Sequence, residues 1–174
     1  SQNGYAIGGS AAYSAITARN LCCRACAVTC VGADFDRNTP VLSGIEVAYQ
    51  ESSDTTIFDN FYAEDGKRQQ SILALAGKLR PGHVTEDRKE VEIVFLCPIA
   101  NEVDPDCIHS FTRALVGVTP QGWMRQWGND RRIHPRRWDS AAAILPHADV
   151  LVLSHEDLSF YPDELEKYVG LTPI

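Results

Sequence analysis

Apolar residues recur along the chain in two rhythms, and the switch between them marks out the elements. From Ser10 onward, Ala11, Ala12, Ala15, Ile16 and Leu21 fall on one side of a helical pattern, with Ser10 suited to the N-cap. The alanines let that helix pack close to a sheet. After a turn around Cys23 and Arg24, the β-prone run Ala27-Val28-Thr29-Cys30-Val31 is closed by Gly32 and followed by Asp34. Val41 to Tyr49 alternates Ile45, Val47 and Tyr49 with smaller or polar residues, which predicts a half-exposed strand. Thr55 to Tyr62 is rich in β-branched and aromatic residues, and the turn Glu64-Asp65-Gly66 returns the chain through Lys67 to Leu75, predicting a hairpin or meander. A loop over 77–89 leads to Val91–Cys97, whose nearly continuous apolar run suits a strand buried on both faces.

Beyond that strand, Asp104 and Pro105 predict a helix start, with Ile108, Phe111 and Leu115 as its buried stripe. A short strand at Val116–Thr119, a short helix at Ser140–Leu145, a strand at Val150–Leu153 and a last helix at Asp163–Val169 complete the pattern. The alternation of strand and helix predicts a layered α/β fold with right-handed crossovers. Its parallel strands lie near Ala25, Val91, Val116 and Val150.

A chain of 174 residues suffices for one domain with a real core, at roughly 100 to 200 residues per domain. The formal net charge of −7 argues against a general binder of nucleic acid or of an anionic membrane, both of which need a positive field. No run approaches the roughly 20 apolar residues of a membrane span, and no signal-peptide pattern is present, which makes the cytoplasm the default. Cys22, Cys23, Cys26 and Cys30 crowd together across a helix end, a turn and a strand, so they do not converge on one point as a metal site requires. They are read as small, buried, reduced thiols, and Cys97 and Cys107 as packing residues.

Sites in α/β sheets lie beyond the carboxyl ends of the strands. Glycines without a Cβ let a ligand approach backbone N–H groups, so Gly8 and Gly9, ahead of the helix at Ser10, suit an anionic or hydroxyl-rich partner. Asn101 and Glu102, after the strand ending at Cys97, can hydrogen-bond hydroxyls. Trp123 and Trp127, four residues apart, are read as a packing pair, and the run Arg131, Arg132, His134, Arg136, Arg137 as a solvated loop.

The order Gly8-Gly9, alanine-rich helix, strand and Val31-Gly32-Ala33-Asp34 resembles the phosphofructokinase B, or ribokinase-like, family of carbohydrate kinases. Three later stretches, TTIFDNFYAEDGKRQQ, LCPIANEVDPD and ADVLVLSHEDL, fall where that family would place them. The resemblance implies a three-layer α/β/α fold with a mainly parallel sheet and a small antiparallel lid over 41–75. It also implies a sugar or nucleoside substrate, with ATP and Mg2+ as donor and metal. Substrate contacts would come from Gly8, Gly9, Ser10, Tyr13, Asp34, Asn101 and Glu102. Ser154 and Asp157 stand where the family often has Asn-x-x-Glu, so they would position the metal. The aromatics of the lid need a cover, which a second copy of the chain would supply.

Three departures accompany the resemblance. Tyr13 replaces an Asn common on that helix, which points away from ribose itself. The first strand with its sugar-binding Asp has no match, and no Gly-x-Gly-Asp, the source of the catalytic base and anion hole, occurs in the chain. No catalytic residue is therefore assigned. Two expectations follow: the substrate-and-lid portion of a sugar or nucleoside kinase cut at both ends, inactive by itself, or a non-catalytic binding domain that keeps the acceptor pocket.

Overall fold

The computed structural model describes residues 5–64, 66 and 68–172, so Asp65 and Lys67 of the expected turn lie outside the described residues. Helix α1 (Ser10–Asn20) leads to strand β1 (Cys26–Val31), much as the apolar pattern predicts. The cap differs: Gly9, at φ 90°, occupies the N-cap and Ser10 is the first helical residue. A positive φ is costly for any residue with a Cβ, so the Gly-Gly pair sets the entry into the helix.

Strand β2 (Glu46–Glu51) pairs in parallel with β1, from Cys26 opposite Glu46 to Val31 opposite Glu51. It therefore belongs to the parallel layer and not to an antiparallel lid beginning at residue 41. Residues 40–42 form a 3-10 turn, started by Pro40 and held by Arg19, whose Nη1 donates to Ser43 O at 2.7 Å and Val41 O at 3.1 Å. Carbonyls committed to a side chain are not available to a strand ladder.

The antiparallel layer is β3 (Ile57–Tyr62) with β4 (Arg68–Ala74), joined by a second hairpin, β7 (Arg125–Trp127) with β8 (Ile133–Pro135). Ser71 bridges to Arg132, and Ile72 N donates to Arg131 O at 2.9 Å, so the two hairpins meet edge to edge. The arginine run expected as a solvated loop thus contributes strand β8 to the antiparallel layer. Phe61 and Tyr62 are exposed on the first hairpin, while Phe58 is part-buried.

The second parallel sheet has the order β5 (Ile93–Leu96), β6 (Leu115–Val118), β9 (Val150–Leu151). Its start is less buried than the apolar run suggested, since Ile93 is exposed. Between β4 and β5 lies the one-turn helix α2 (Glu86–Lys89). The segment after Asp104 is a six-residue 3-10 helix, Pro105–Ser110, and Leu115 opens β6. Asp104 does cap it, its side chain accepting from Asp106 N at 3.1 Å. Helices α3 (Ala141–Ile144), α4 (His155–Leu158) and α5 (Glu164–Leu171) follow, and α5 runs through Gly170.

The main core lies against β5, β6 and α3, where Val118, Ile144, Leu145, Trp138 and Tyr168 are almost fully buried. Trp138 stacks on Trp123 with ring centroids 5.6 Å apart and meets Tyr168 edge-on at 5.4 Å. Trp123 therefore pairs with Trp138 and not with Trp127. A smaller cluster of Ala15, Ala25 and Ile45 seats α1 on the first parallel pair, and α1 also touches β5. Cys107 is buried as expected, whereas Cys22 and Cys23, after the end of α1, and Cys26, the first residue of β1, are exposed; all six thiols are free. Among the described residues no helix is long and apolar enough to cross a membrane.

Candidate functional site

The start of α1 abuts the loop that follows β5. A Cβ added at Gly9 would lie 3.3 Å from Ile99 Cδ1, and one added at Gly8 would lie 3.6 Å from Tyr13 Oη. Tyr13 N donates to Gly9 O at 3.2 Å, and its ring is 62% exposed, so it stands at the rim. Within the loop, Ile99 N donates to Glu102 Oε1 at 2.9 Å and Ala100 N to Glu102 Oε2 at 2.6 Å. Asn101, at φ 58°, makes the tight return that this needs. Desolvation pushes the Glu102 carboxyl above the usual carboxylate range, partly offset by those two N–H groups and by Arg125. Gly8, Gly9, Tyr13, Asn101 and Glu102 are thus brought together through Ile99.

Asp34 serves a different junction. Its Oδ1 accepts from Thr55 Oγ1 at 2.7 Å, and that hydroxyl accepts from Gly32 N at 3.0 Å, tying the end of β1 to the approach of β3. A Cβ at Gly32 would come within 2.5 Å of Asp34 Oδ1 and 2.9 Å of the Asp54 carbonyl carbon, so only glycine fits. Burial, and next Glu102, push the Cys30 thiol up.

Ser154 and Asp157 form a reciprocal cap on α4. Ser154 Oγ accepts from Asp157 N at 3.3 Å, and Asp157 Oδ2 accepts from Ser154 N at 2.8 Å and from its Oγ at 2.7 Å. Gln121 Nε2 reaches Asp157 Oδ1 at 3.4 Å. The pair's oxygens are largely committed to holding the turn, and no group of three or more His, Cys, Asp or Glu that could hold a metal exists among the described residues. The neighbouring Glu156 is turned to the lid, where it pairs with Arg68 at 3.2 Å.

One residue that sequence reasoning passed over completes the arrangement. Arg125 Nη1 donates to Ile99 O at 2.9 Å while its guanidinium faces the Phe58 ring at 5.5 Å, so it spans from the β5 loop to the lid. Burial, and next the nearby Arg68, push Arg125 down to about 10. Its signal was its place in PQGWMRQW just after a strand end, where the tryptophans drew the attention. A cavity of about 560 Å³ opens between the β3–β4 hairpin and α4, lined by Tyr62, Gly66, Arg68 and Glu156; a second, of about 430 Å³, runs along Ile72–Leu75 and the β7–β8 turn. Gly8, Gly9 and Tyr13 line neither.

The arrangement of parallel strands, helices and small antiparallel sheets has counterparts among solved structures. The chain is similar to a pyrophosphate-dependent kinase in the ribokinase family, solved as a sulfate complex, with TM-score 0.77 at 18% identity over 96% of this chain and 63% of that one. The protein has a ribokinase-like fold. A pyrophosphate-dependent myo-inositol-1 kinase converted by mutation into a myo-inositol-3 kinase matches with TM-score 0.78 at 18% identity, over 96% of this chain and 60% of that one. Ribokinase from Giardia lamblia matches with TM-score 0.64 at 18% identity, over 98% and 60%. The chain thus spans 60–63% of the length of these ribokinase-like structures. No protein-family model matches it, and no curated protein matches it closely.

Proposed function

We propose that the chain is the substrate-binding and lid portion of a ribokinase-like phosphotransferase that acts on a hydroxyl of a sugar, polyol or nucleoside. The observation that carries this reading is the seating of Gly9 against the Ile99–Glu102 loop, with the lid tied to the same side through Arg125 and Arg68. Backbone N–H groups at a helix start and a carboxylate with lone pairs to spare suit a ligand rich in hydroxyls. Asp34 would hold the lid's root, and Ser10, Tyr13 and Asn101 would line the rim. The donor is a phosphoanhydride, ATP on the family resemblance or pyrophosphate as in two of the structural neighbours. Bound Mg2+ would supply charge neutralisation at the phosphates, with Ser154 and Asp157 ordering its hydration water. The exposed Phe61 and Tyr62 give the lid an apolar face that a second copy of the chain would cover.

Calorimetric titration with ribose, myo-inositol and adenosine tests this reading. Weak binding is expected, on the order of millimolar. Gly9→Val should abolish it, since the new side chain meets Ile99 at an unfavourable φ. Binding left intact in that variant, or no binding of any of the three, would overturn the proposal.

A further inference from the structure

His109 and His147 lie ring against ring, their centroids 4.7 Å apart and their planes crossed at 82°. Both residues are exposed, and among the described residues neither ring takes part in a hydrogen bond or an ion pair. His83 and His134 differ: His83 Nδ1 accepts from Arg80 N at 3.2 Å, and His134 pairs with Asp130 at 3.7 Å. The backbone holds the pair in place. His109 follows Cys107 and Ile108 on the 3-10 helix Pro105–Ser110, and His147 closes the 3-10 turn Leu145–His147 just before Ala148. Cys107, Ile108, Leu145 and Ala148 are all buried in the main core, so each turn is anchored while its imidazole faces outward. Edge-to-face packing accounts for the contact but makes no use of the ring nitrogens. Each neutral imidazole has one nitrogen with a free lone pair. An ion about 2.1 Å from one nitrogen of each ring, at an N–metal–N angle of about 90° to 110°, sets the centroids roughly 4.6 to 5.3 Å apart. The observed separation falls in that interval, so side-chain rotation alone brings both lone pairs onto one ion.

We propose that His109 and His147 form a two-imidazole site for a borderline divalent transition ion, Zn2+, Ni2+ or Cu2+. Imidazole suits these ions, whereas Mg2+ and Ca2+ take oxygen ligands. No group of three or more His, Cys, Asp or Glu that could hold a metal exists among the described residues, so water completes the coordination sphere. The bound ion would tie the segment that follows the Glu102 loop to the turn that precedes β9, cross-linking Pro105–Ser110 and Leu145–His147. The proposal is independent of the phosphotransferase reading above.

Calorimetric titration of the untagged 174-residue chain with NiCl2, at a pH above the ordinary histidine range, tests the site. The exposed thiols of Cys22, Cys23 and Cys26 are first blocked with N-ethylmaleimide, because thiolates attract the same ions. Ni2+ should bind at one site that His109→Asn and His147→Asn each weaken about 100-fold, the loss expected when one of two linked ligands is removed. His134→Asn should leave that site unchanged, and an excess of MgCl2 should not displace the ion. Ni2+ should also raise the thermal midpoint of the wild type and of His134→Asn but of neither pair variant, since an ion that binds the folded state stabilises it. Should one pair variant fail to fold by circular dichroism, the other variant and the midpoint shift decide. The proposal is overturned if the wild type takes up Ni2+ no better than the folded pair variants. It is equally overturned if, with both variants folded, only one of them loses binding, since a single histidine would then hold the ion with other partners.

Discussion

Glu102 shows how a single carboxylate joins structure to site. With its pKa raised in the folded state by desolvation, it contributes stability that is full below the ordinary glutamate range and lost as pH rises through the raised value. Thermal melting from about pH 4 to about pH 8, on either side of a normal glutamate pKa, should show that loss in the wild type. Glu102→Gln, which keeps one carbonyl acceptor for Ile99 N or Ala100 N, should lack it; parallel pH profiles for the two proteins would refute the assignment. The thiols give an independent check. Cys107 is buried and pushed up to about 11, and Cys97 to about 12, so both stay protonated near neutrality, whereas Cys22, Cys23 and Cys26 are exposed. Native alkylation read by mass spectrometry should modify those three first and Cys107 last, and early labelling of Cys107 would contradict its burial. Glu102 was legible in the sequence because it acts through close neighbours, and Gly9 because a positive φ at a helix start is a local requirement, although its contact with Ile99 is not local. Arg125 was not, because its role depends on Phe58, 67 positions earlier (125 − 58), coming to lie against it.

Elements were legible in kind more than in partnership. The run at Glu46–Glu51 alternates as a strand should, yet alternation says nothing of whether its neighbour runs parallel or antiparallel, and β1 took it. Asp104-Pro105 starts an α-helix or a 3-10 helix equally well, since both leave the same first N–H groups to cap. The arginine run at 131–137 looked like a loop because of its charges, yet its backbone forms β8 and bridges to β4, and Arg137 pairs with Asp163. The turn after β6 is where an element and the site meet. A Cβ at Gly122 would lie 2.4 Å from both Ile99 N and the Pro98 carbonyl carbon, and Gly122 N donates to Pro98 O at 3.0 Å. Gly122→Ala must therefore push the loop that carries Glu102, at a cost of about 1 to 3 kcal/mol as for other overpacked sites. Urea denaturation should register that loss, and the same variant should bind sugar more weakly; wild-type values for both would show that the loop does not depend on this contact.

At the scale of the whole molecule the order of motifs carried most of the information. Helix start, β1 with Val31-Gly32-Ala33-Asp34, hairpin, β5 loop and β9 loop come in the sequence in that order, and in the structure the helix start meets the β5 loop while the β3–β4 hairpin meets α4 through Arg68 and Glu156. What the order could not convey is the division of labour between lid and body, since that depends on hairpins pairing across long separations. Phosphoryl transfer makes the strictest demand on the assembly: a base aligned with the attacking hydroxyl, donors for the developing charge, and a site that holds the phosphate donor in line. The chain contains no Gly-x-Gly-Asp to provide the first two, and Asp157 is occupied in its cap. Loss of a general base alone typically costs about 10²- to 10⁴-fold, and loss of the in-line donor site removes the effective-molarity advantage as well. The 174 residues by themselves should therefore bind a sugar without phosphorylating it. Incubation with Mg2+, a sugar panel and either ATP or pyrophosphate, followed by detection of sugar phosphate, is the measurement. Sugar-dependent turnover at about 1 per second, within the ordinary range for enzymes, would mean that a base and an anion hole exist among residues assigned neither role.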